Sequence, residues 1–260
     1  EALATAGIPV LMEKPVERTL AAAQELTQIC ERAGVPLGIV LQHRVRPSAQ
    51  ALHNLLADND LGPLQLVEIY VPWWRGQGYY DEPGRGSLER DGGGVLISQA
   101  IHTLDLALQF TGPVKDVTAM CRTSAFHEME TEDFVTAGMT FESGAMGSLV
   151  ASTATYPGRT EEIILHYANA SVTLKSAELS VAWQNGKVET IGTAVATGAG
   201  GDPMAFTADW HQAVIEDFMT CINTGATPVA SGQSALGVHA LIEAIITSSA
   251  KGGVSNVEKV

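Results

Sequence analysis

A histidine and an aspartate three residues apart, His102 and Asp105, follow a run of three glycines, Gly92-Gly93-Gly94, with Ser98 between. On a helix, Ile97, Ile101, Leu104 and Leu108 share one stripe. Ser98, His102, Asp105 and Gln109 share a second, about 100° round from the first. A polar stripe flanking a buried one is semi-buried, where a polar group needs a partner or a purpose. The spacing lets the Asp105 carboxylate hydrogen-bond the imidazole, fix its tautomer and raise its basicity, as suits a general base. Glycines at the helix start leave its unpaired N–H groups open to a flat or charged ligand. A histidine held by its own helix for packing alone is the competing reading.

Lys14 is a second candidate. It directly follows the apolar run Ile8 to Met12, and ligand crevices form at the carboxyl ends of buried parallel strands. Glu13 is placed to hold its ammonium as an ion pair, and a solvated strand-end lysine is the alternative. A third is Trp73-Trp74-Arg75-Gly-Gln-Gly-Tyr79-Tyr80, aromatic rings and an arginine in a glycine-containing loop. Such a loop suits a wall that stacks on a ring-shaped substrate, or equally packing within a core or interface. The other histidines are scattered without zinc-helix spacing, no serine-nucleophile elbow or P-loop occurs, and no metal site is expected.

These residues must be positioned by a chain of 260 residues with 45% apolar and 17% charged side chains, ordinary values for a globular protein. Its net charge of −14 repels phosphate backbones, so a nucleic-acid partner is not expected. No apolar run approaches the roughly 20 residues that span a bilayer, so neither is a membrane partner. Cys30, Cys121 and Cys221 are too few and too far apart for a disulfide framework, and a reducing cytoplasm is the expected location.

Residues 8–12, 16–33 and 35–41 read as strand, helix and strand, one βαβ unit of a parallel sheet. One crossover cannot make a doubly wound domain, so an upstream part is expected. From Leu64 onward the texture becomes β-branched and alternating. Strands are predicted at 64–75, 114–123, 132–141, 145–154, 161–168, 171–175, 179–184 and 187–192, separated by turns such as Asn185-Gly186. Helices are predicted at 47–58, 94–110, 205–223 and 232–249, and a small-residue loop at 193–202. The fold class is therefore α/β plus α+β, with a mostly antiparallel sheet in the second part.

Glu13-Lys14-Pro15, the aromatic loop, the Gly92-to-Asp105 segment, Asp133-Phe134-Val135 and the hairpin Phe141 to Gly147 stand in this order along the chain. Together they resemble the Gfo/Idh/MocA family of NAD(P)-dependent oxidoreductases. The resemblance implies the C-terminal remainder of a Rossmann domain over 1–43, and a substrate-binding and oligomerisation domain over 44–260 with a large open sheet flanked by helices. It implies Lys14, commonly with a cis bond to Pro15, and His102 as catalytic residues, and NAD or NADP as cofactor. Glu13, Lys14, Pro15 and Arg44 are expected on the cofactor side, and Ser98, Asp105, Arg75, Tyr79 and Tyr80 on the substrate side. The substrate is expected to be a sugar, cyclic polyol or cyclic diol, and the assembly a homodimer or homotetramer through a sheet face carrying Val150, Ser152 and Ala154.

Two departures from the family pattern bear on this. The glycine-rich nucleotide fingerprint lies upstream of Glu13 in the family and is absent here, so these 260 residues are not expected to hold the adenosine and pyrophosphate half. The position four before the histidine, usually Asp or Asn, is Ser98, which carries no charge and shifts work to His102. With an ordinary pKa near 6.5, His102 would take the hydroxyl proton. A non-catalytic binding module, and a cofactor-assisted hydrolase or lyase, are the alternatives.

Overall fold

The computed structural model describes residues 1–58, 61–195, 197–200 and 207–260. The chain opens with a short helix α1 (Ala2–Thr5), strand β1 (Val10–Glu13), helix α2 (Leu20–Ala33) and strand β2 (Leu37–Val40). Leu20, Ala23, Thr27 and Cys30 line the buried face of α2, and the Thr19 side chain caps it by accepting from Ala22 N. β1 and β2 pair in parallel, Val10 opposite Leu37 and Glu13 opposite Val40. This unit is not self-contained. Ile39 N donates to Ala230 O at 2.8 Å, Gly38 bridges Ser231, and helices from the end of the chain pack on α2 and β2. Gly38 lies so close to the Phe218 ring that a Cβ would come within 2.6 Å of it. One hydrophobic core therefore runs through both parts of the chain.

After a 3-10 turn (Gln42–Val45) come α3 (Pro47–Asp58), β3 (Leu64–Pro72), α4 (Gln77–Tyr80) and α5 (Ile101–Thr111). Then follow β4 (Val114–Arg122), β5 (Phe134–Phe141), β6 (Met146–Ser152), β7 (Glu162–Tyr167), β8 (Ala170–Lys175), β9 (Glu178–Trp183) and β10 (Val188–Ile191). Helices α6 (Asp209–Thr224) and α7 (Gly232–Lys251) and strand β11 (Ser255–Asn256) complete the elements. Among the described residues the large sheet has nine strands, in the order β10-β9-β8-β7-β3-β6-β5-β4-β11. Every pair is antiparallel except β3 with β6, so the expected mostly antiparallel sheet is present.

Alternation decides which face each strand buries. In β3, Val67, Ile69 and Val71 point into the core, whereas Leu66 is exposed. α3, α5 and α7 cover the inner face through β8 and β9, β3 and β7, and β4 respectively. On the strand expected to present an outer face, Val150 and Ala154 are half-buried, but Ser152 is buried and its Oγ accepts from Ala154 N. Gly186 sits at φ 88° in the hairpin the Asn-Gly pair predicted. Residues 205 and 206 of the predicted helix, and 196, 201 and 202 of the predicted loop, lie outside the described residues. Among the described residues no helix is long and apolar enough to cross a membrane.

The helix expected over 94–110 is two structures in series. Residues Leu96–Ala100 form a π-helical turn and only then does α5 begin. Such turns interrupt the regular backbone ladder and concentrate at functional sites.

Candidate active site

The carboxyl ends of β1, β2 and β3 converge on one cavity of about 320 Å³. β1 delivers Glu13 and Lys14, β2 delivers Gln42 and His43 through the 3-10 turn, and β3 delivers Trp73 and Arg75. The π turn and first residues of α5 add Ser98, Gln99 and His102, and the start of α6 adds Trp210 and His211. Strand ends gather ligand sites because the chain must turn there, leaving backbone and side chains free to face a crevice.

Lys14 is tied to the helix that bears His102. Its Nζ donates to the Ser98 carbonyl at 2.6 Å, where the π turn interrupts the backbone ladder. The expected ion pair with Glu13 does not form, and among the described residues Lys14 has no carboxylate partner within salt-bridge distance. Burial lowers its pKa to about 8, against the raising influence of Glu13 and Asp91. The Lys14–Pro15 bond is cis. Immediately beyond it, Val16 N donates to His239 Nε2 on α7 at 3.3 Å. His239 must be neutral to accept, and burial holds its pKa at about 4. Pro15 follows the lysine that faces the cavity and does not itself line it.

His102 is 7% exposed and its Nδ1 has no hydrogen-bond partner among the described residues. The expected His102–Asp105 bond is absent. Both Asp105 oxygens instead accept from Arg44, Oδ2 from Nε at 2.7 Å and Oδ1 from Nη2 at 2.6 Å. Three residues along a helix is 60° short of a full turn, and the fork of a guanidinium matches a carboxylate better than an imidazole does. Asp105 and Gln109 consequently face a different hollow, on the far side of α5, and the expected polar stripe is split between two cavities. Arg44 is spent as well: its remaining donors go to Val229 O and to Ser234 Oγ and O. It is a buried, internally paired cation and does not line the cavity. With Asp105 turned away, burial and then Lys14 push the pKa of His102 well below the ordinary value.

The helix start after the three glycines is also occupied. Glu132 sends its carboxylate to Gly94 N and Leu96 N, both at 3.1 Å, and its carbonyl accepts from Val95 N at 2.8 Å. The protein thus supplies its own anion where a ligand was expected. The reason for a glycine at 94 is contact, since a Cβ there would lie 1.8 Å from the Glu132 carbonyl oxygen. Gly94→Ala should cost about 3 kcal/mol by overpacking, read as a lowered urea midpoint.

In the aromatic loop, Arg75 lines the cavity with its guanidinium donating to Trp74 O and Gly200 O at 2.7 and 2.8 Å. Tyr79 lines it too, its hydroxyl accepting from Arg85 Nη1 at 2.8 Å. Tyr80 does not: its hydroxyl meets Thr153 Oγ1 at 2.6 Å and its ring packs on His127, so it supports the wall from behind. His127 is itself fixed by Asp133 at 2.7 Å and by the Arg75 carbonyl at 2.8 Å. Sequence reasoning missed His43, Arg46, Trp210 and His211. His43 was within reach of it, because the strand-end argument applied to Lys14 holds equally for residues just after β2.

The cavity lining opposes the charge of the whole chain, with Lys14, Arg46, Arg75 and Arg85 against Glu13. It also collects buried polar atoms that lack partners among the described residues: Gln42 Oε1, His43 Nδ1, Gln99 Oε1, His102 Nδ1 and Thr197 Oγ1. Unpaired buried polar atoms are costly, and their gathering here marks space for a ligand rich in donors and acceptors. A nicotinamide carboxamide and a polyhydroxylated substrate fit that donor set. Among the described residues no cluster of side chains has the makings of a metal site.

The chain is similar to several known proteins. The chain is 29% identical over 267 residues to D-apiose dehydrogenase of Paraburkholderia graminis, covering 97% of this chain and 67% of that protein. It is 27% identical over 243 residues to the myo-inositol dehydrogenase Hyg17 of Streptomyces leeuwenhoekii, covering 89% and 68%. Its structure matches that of the WlbA dehydrogenase from Bordetella pertussis, solved with NADH and UDP-GlcNAcA. That match has a TM-score of 0.81 and 27% identity, over all of this chain and 74% of that one. Residues 49–173, which run from α3 into β8, match the GFO/IDH/MocA C-terminal domain. By these likenesses the chain is similar to NAD-dependent sugar and polyol dehydrogenases, and over residues 49–173 to the C-terminal domain of the Gfo/Idh/MocA oxidoreductases.

Proposed function

We propose that this oxidoreductase moves hydride between NAD and a secondary alcohol of a sugar, cyclic polyol or cyclic diol, with residues 1–43 on the cofactor side and 44–260 on the substrate side. The observation that carries the reading is the Lys14 ammonium docked on the Ser98 carbonyl, so that it shares one cavity with His102. Relatives named for apiose and myo-inositol, and a neighbour solved with NADH, support the choice of substrate class and cofactor.

Glu13, Lys14 and Gln42, at the ends of β1 and β2, would hold the nicotinamide end, which when bound in its oxidised form supplies the hydride acceptor. The hydroxyl proton goes to Lys14, whose pKa of about 8 lies nearest a physiological working pH. His102 stays neutral because burial opposes its charge, and a neutral imidazole hydrogen-bonds the substrate oxygen as alcohol and as carbonyl. This reverses the division of labour expected from an unperturbed histidine. Tyr79 and Arg75 form the wall against which the remaining hydroxyls lie.

The intact protein mixed with NAD+ and a panel of aldoses and inositols should produce reduced cofactor, followed by its absorbance. His102→Ala should slow that turnover by roughly 100- to 1,000-fold, as loss of a preorganised donor does. A variant as fast as wild type removes His102 from the mechanism.

A further inference from the structure

His43 lines both the candidate active-site cavity and a small hollow beside Thr103, and among the unpaired polar atoms of the cavity's lining residues its Nδ1 is the one whose protonation the structure defines. His43 Nε2 meets Arg46 Nη2. A guanidinium has donors only, so Nε2 must be the acceptor and the ring proton must sit on Nδ1. Two contacts hold Arg46 in that position. Glu161 Oε1 pairs with its Nη1 at 2.7 Å, and its guanidinium stacks 4.3 Å over the Trp210 ring. The other Glu161 oxygen accepts from Trp73 Nε1 at 3.1 Å. The chain Trp73–Glu161–Arg46–His43 therefore fixes one tautomer of a ring that is 3% exposed and lines the cavity. The His43 ring centroid lies 5.0 Å from that of His102. Its Nδ1–H is a buried donor without a protein acceptor among the described residues.

We infer that His43 is a specificity-determining residue of the substrate site, donating its Nδ1–H to an uncharged oxygen of the substrate, a hydroxyl next to the carbon that exchanges hydride. The inference rests on the polyol reading above. It assigns the oxygen to the substrate because His43 stands beside His102, the group proposed to touch the reacting hydroxyl. An uncharged acceptor suits it, because the proton on Nδ1 belongs to a neutral imidazole. A site built around a hydroxyl discriminates strongly against an analogue lacking it, since the protein donor is then left buried and unpaired.

The test is calorimetric titration of the intact protein, held with NADH, against myo-inositol, D-glucose and their singly deoxygenated analogues. His43→Leu should weaken binding of the preferred polyol by about 5- to 100-fold. It should also erase the preference over one particular deoxy analogue, which wild type and variant then bind alike. His43→Asn places an amide N–H near the Nδ1 position and should bind within a few-fold of wild type. Should His43→Leu fail to fold by circular dichroism, His43→Gln, whose amide reaches the Nε2 position instead, takes its place. Equal affinities of wild type and His43→Leu for every compound overturn the inference. So does a His43→Asn variant as weak as His43→Leu, which would make the role one of packing. A parallel loss of NADH affinity would move the acceptor to the carboxamide and overturn it too. Absence of turnover with these binding differences intact sinks the hydride-transfer reading and leaves His43 in place.

Discussion

Lys14→Met should lower turnover in the alcohol-to-carbonyl direction by roughly 100- to 10,000-fold, the usual cost of removing a positioned proton-transfer group. Methionine keeps the length of the side chain but neither binds a proton nor donates to the Ser98 carbonyl. A pH profile adds a second reading. Only the free amine can accept the hydroxyl proton, so wild-type alcohol oxidation should rise as pH climbs through about 8, and carbonyl reduction should fall over the same span. The sign for stability runs the same way. Burial has lowered the lysine's pKa from its unfolded value, so the unfolded chain binds more protons between about 8 and 10.5, and this group's contribution to stability improves with pH there. An inactive Lys14→Met variant with an unaltered circular dichroism spectrum would place the loss in the chemistry. Activity within a few-fold of wild type, with the pH profile unchanged, would remove Lys14 from the proton path.

Arg44→Met should destabilise the fold by about 3–5 kcal/mol, because it strands the Asp105 carboxylate, 1% exposed, without its partner. Burial already raises the Asp105 pKa against the lowering effect of Arg44, so the carboxylate depends on that guanidinium to remain ionised. Urea titration of the intact protein reads the loss. The double variant Arg44→Met/Asp105→Leu should recover much of it, since an apolar pair of similar volume avoids the desolvation cost. Turnover per folded molecule should change little in either case, because the pair faces away from the cavity that holds His102. If Asp105→Asn instead abolished turnover at unchanged stability, Asp105 would regain the imidazole-orienting role that its spacing from His102 suggests.

Much of the architecture was legible in the chain itself. The period-two burial of Val67, Ile69 and Val71, the three- and four-residue spacing of Leu20, Ala23, Thr27 and Cys30, and the Asn185-Gly186 turn are local signals. Local signals survive folding because each side chain's face is set by its own backbone period. The same holds for the placement of Lys14 at a strand end and of His102 on a helix, although the half-buried face expected for that helix is buried at His102 and Asp105.

Partnership was not legible, because a hydrogen bond goes to whichever group the whole fold brings nearest and presents best. Asp105 has a histidine three residues away and pairs with Arg44, 61 positions back, since a two-pronged bond to a buried cation outcompetes a bent one to an imidazole. The helix start that spacing offered to a ligand is filled by Glu132, from the segment leading into β5. The proton affinities of Lys14 and His102 depend on enclosure, which no residue possesses until the strand ends close around it. Sequence by itself determined which elements form and which faces they bury. Tertiary structure alone decided which charges meet, because electrostatic pairing depends on distance through space and on the water excluded from between the partners.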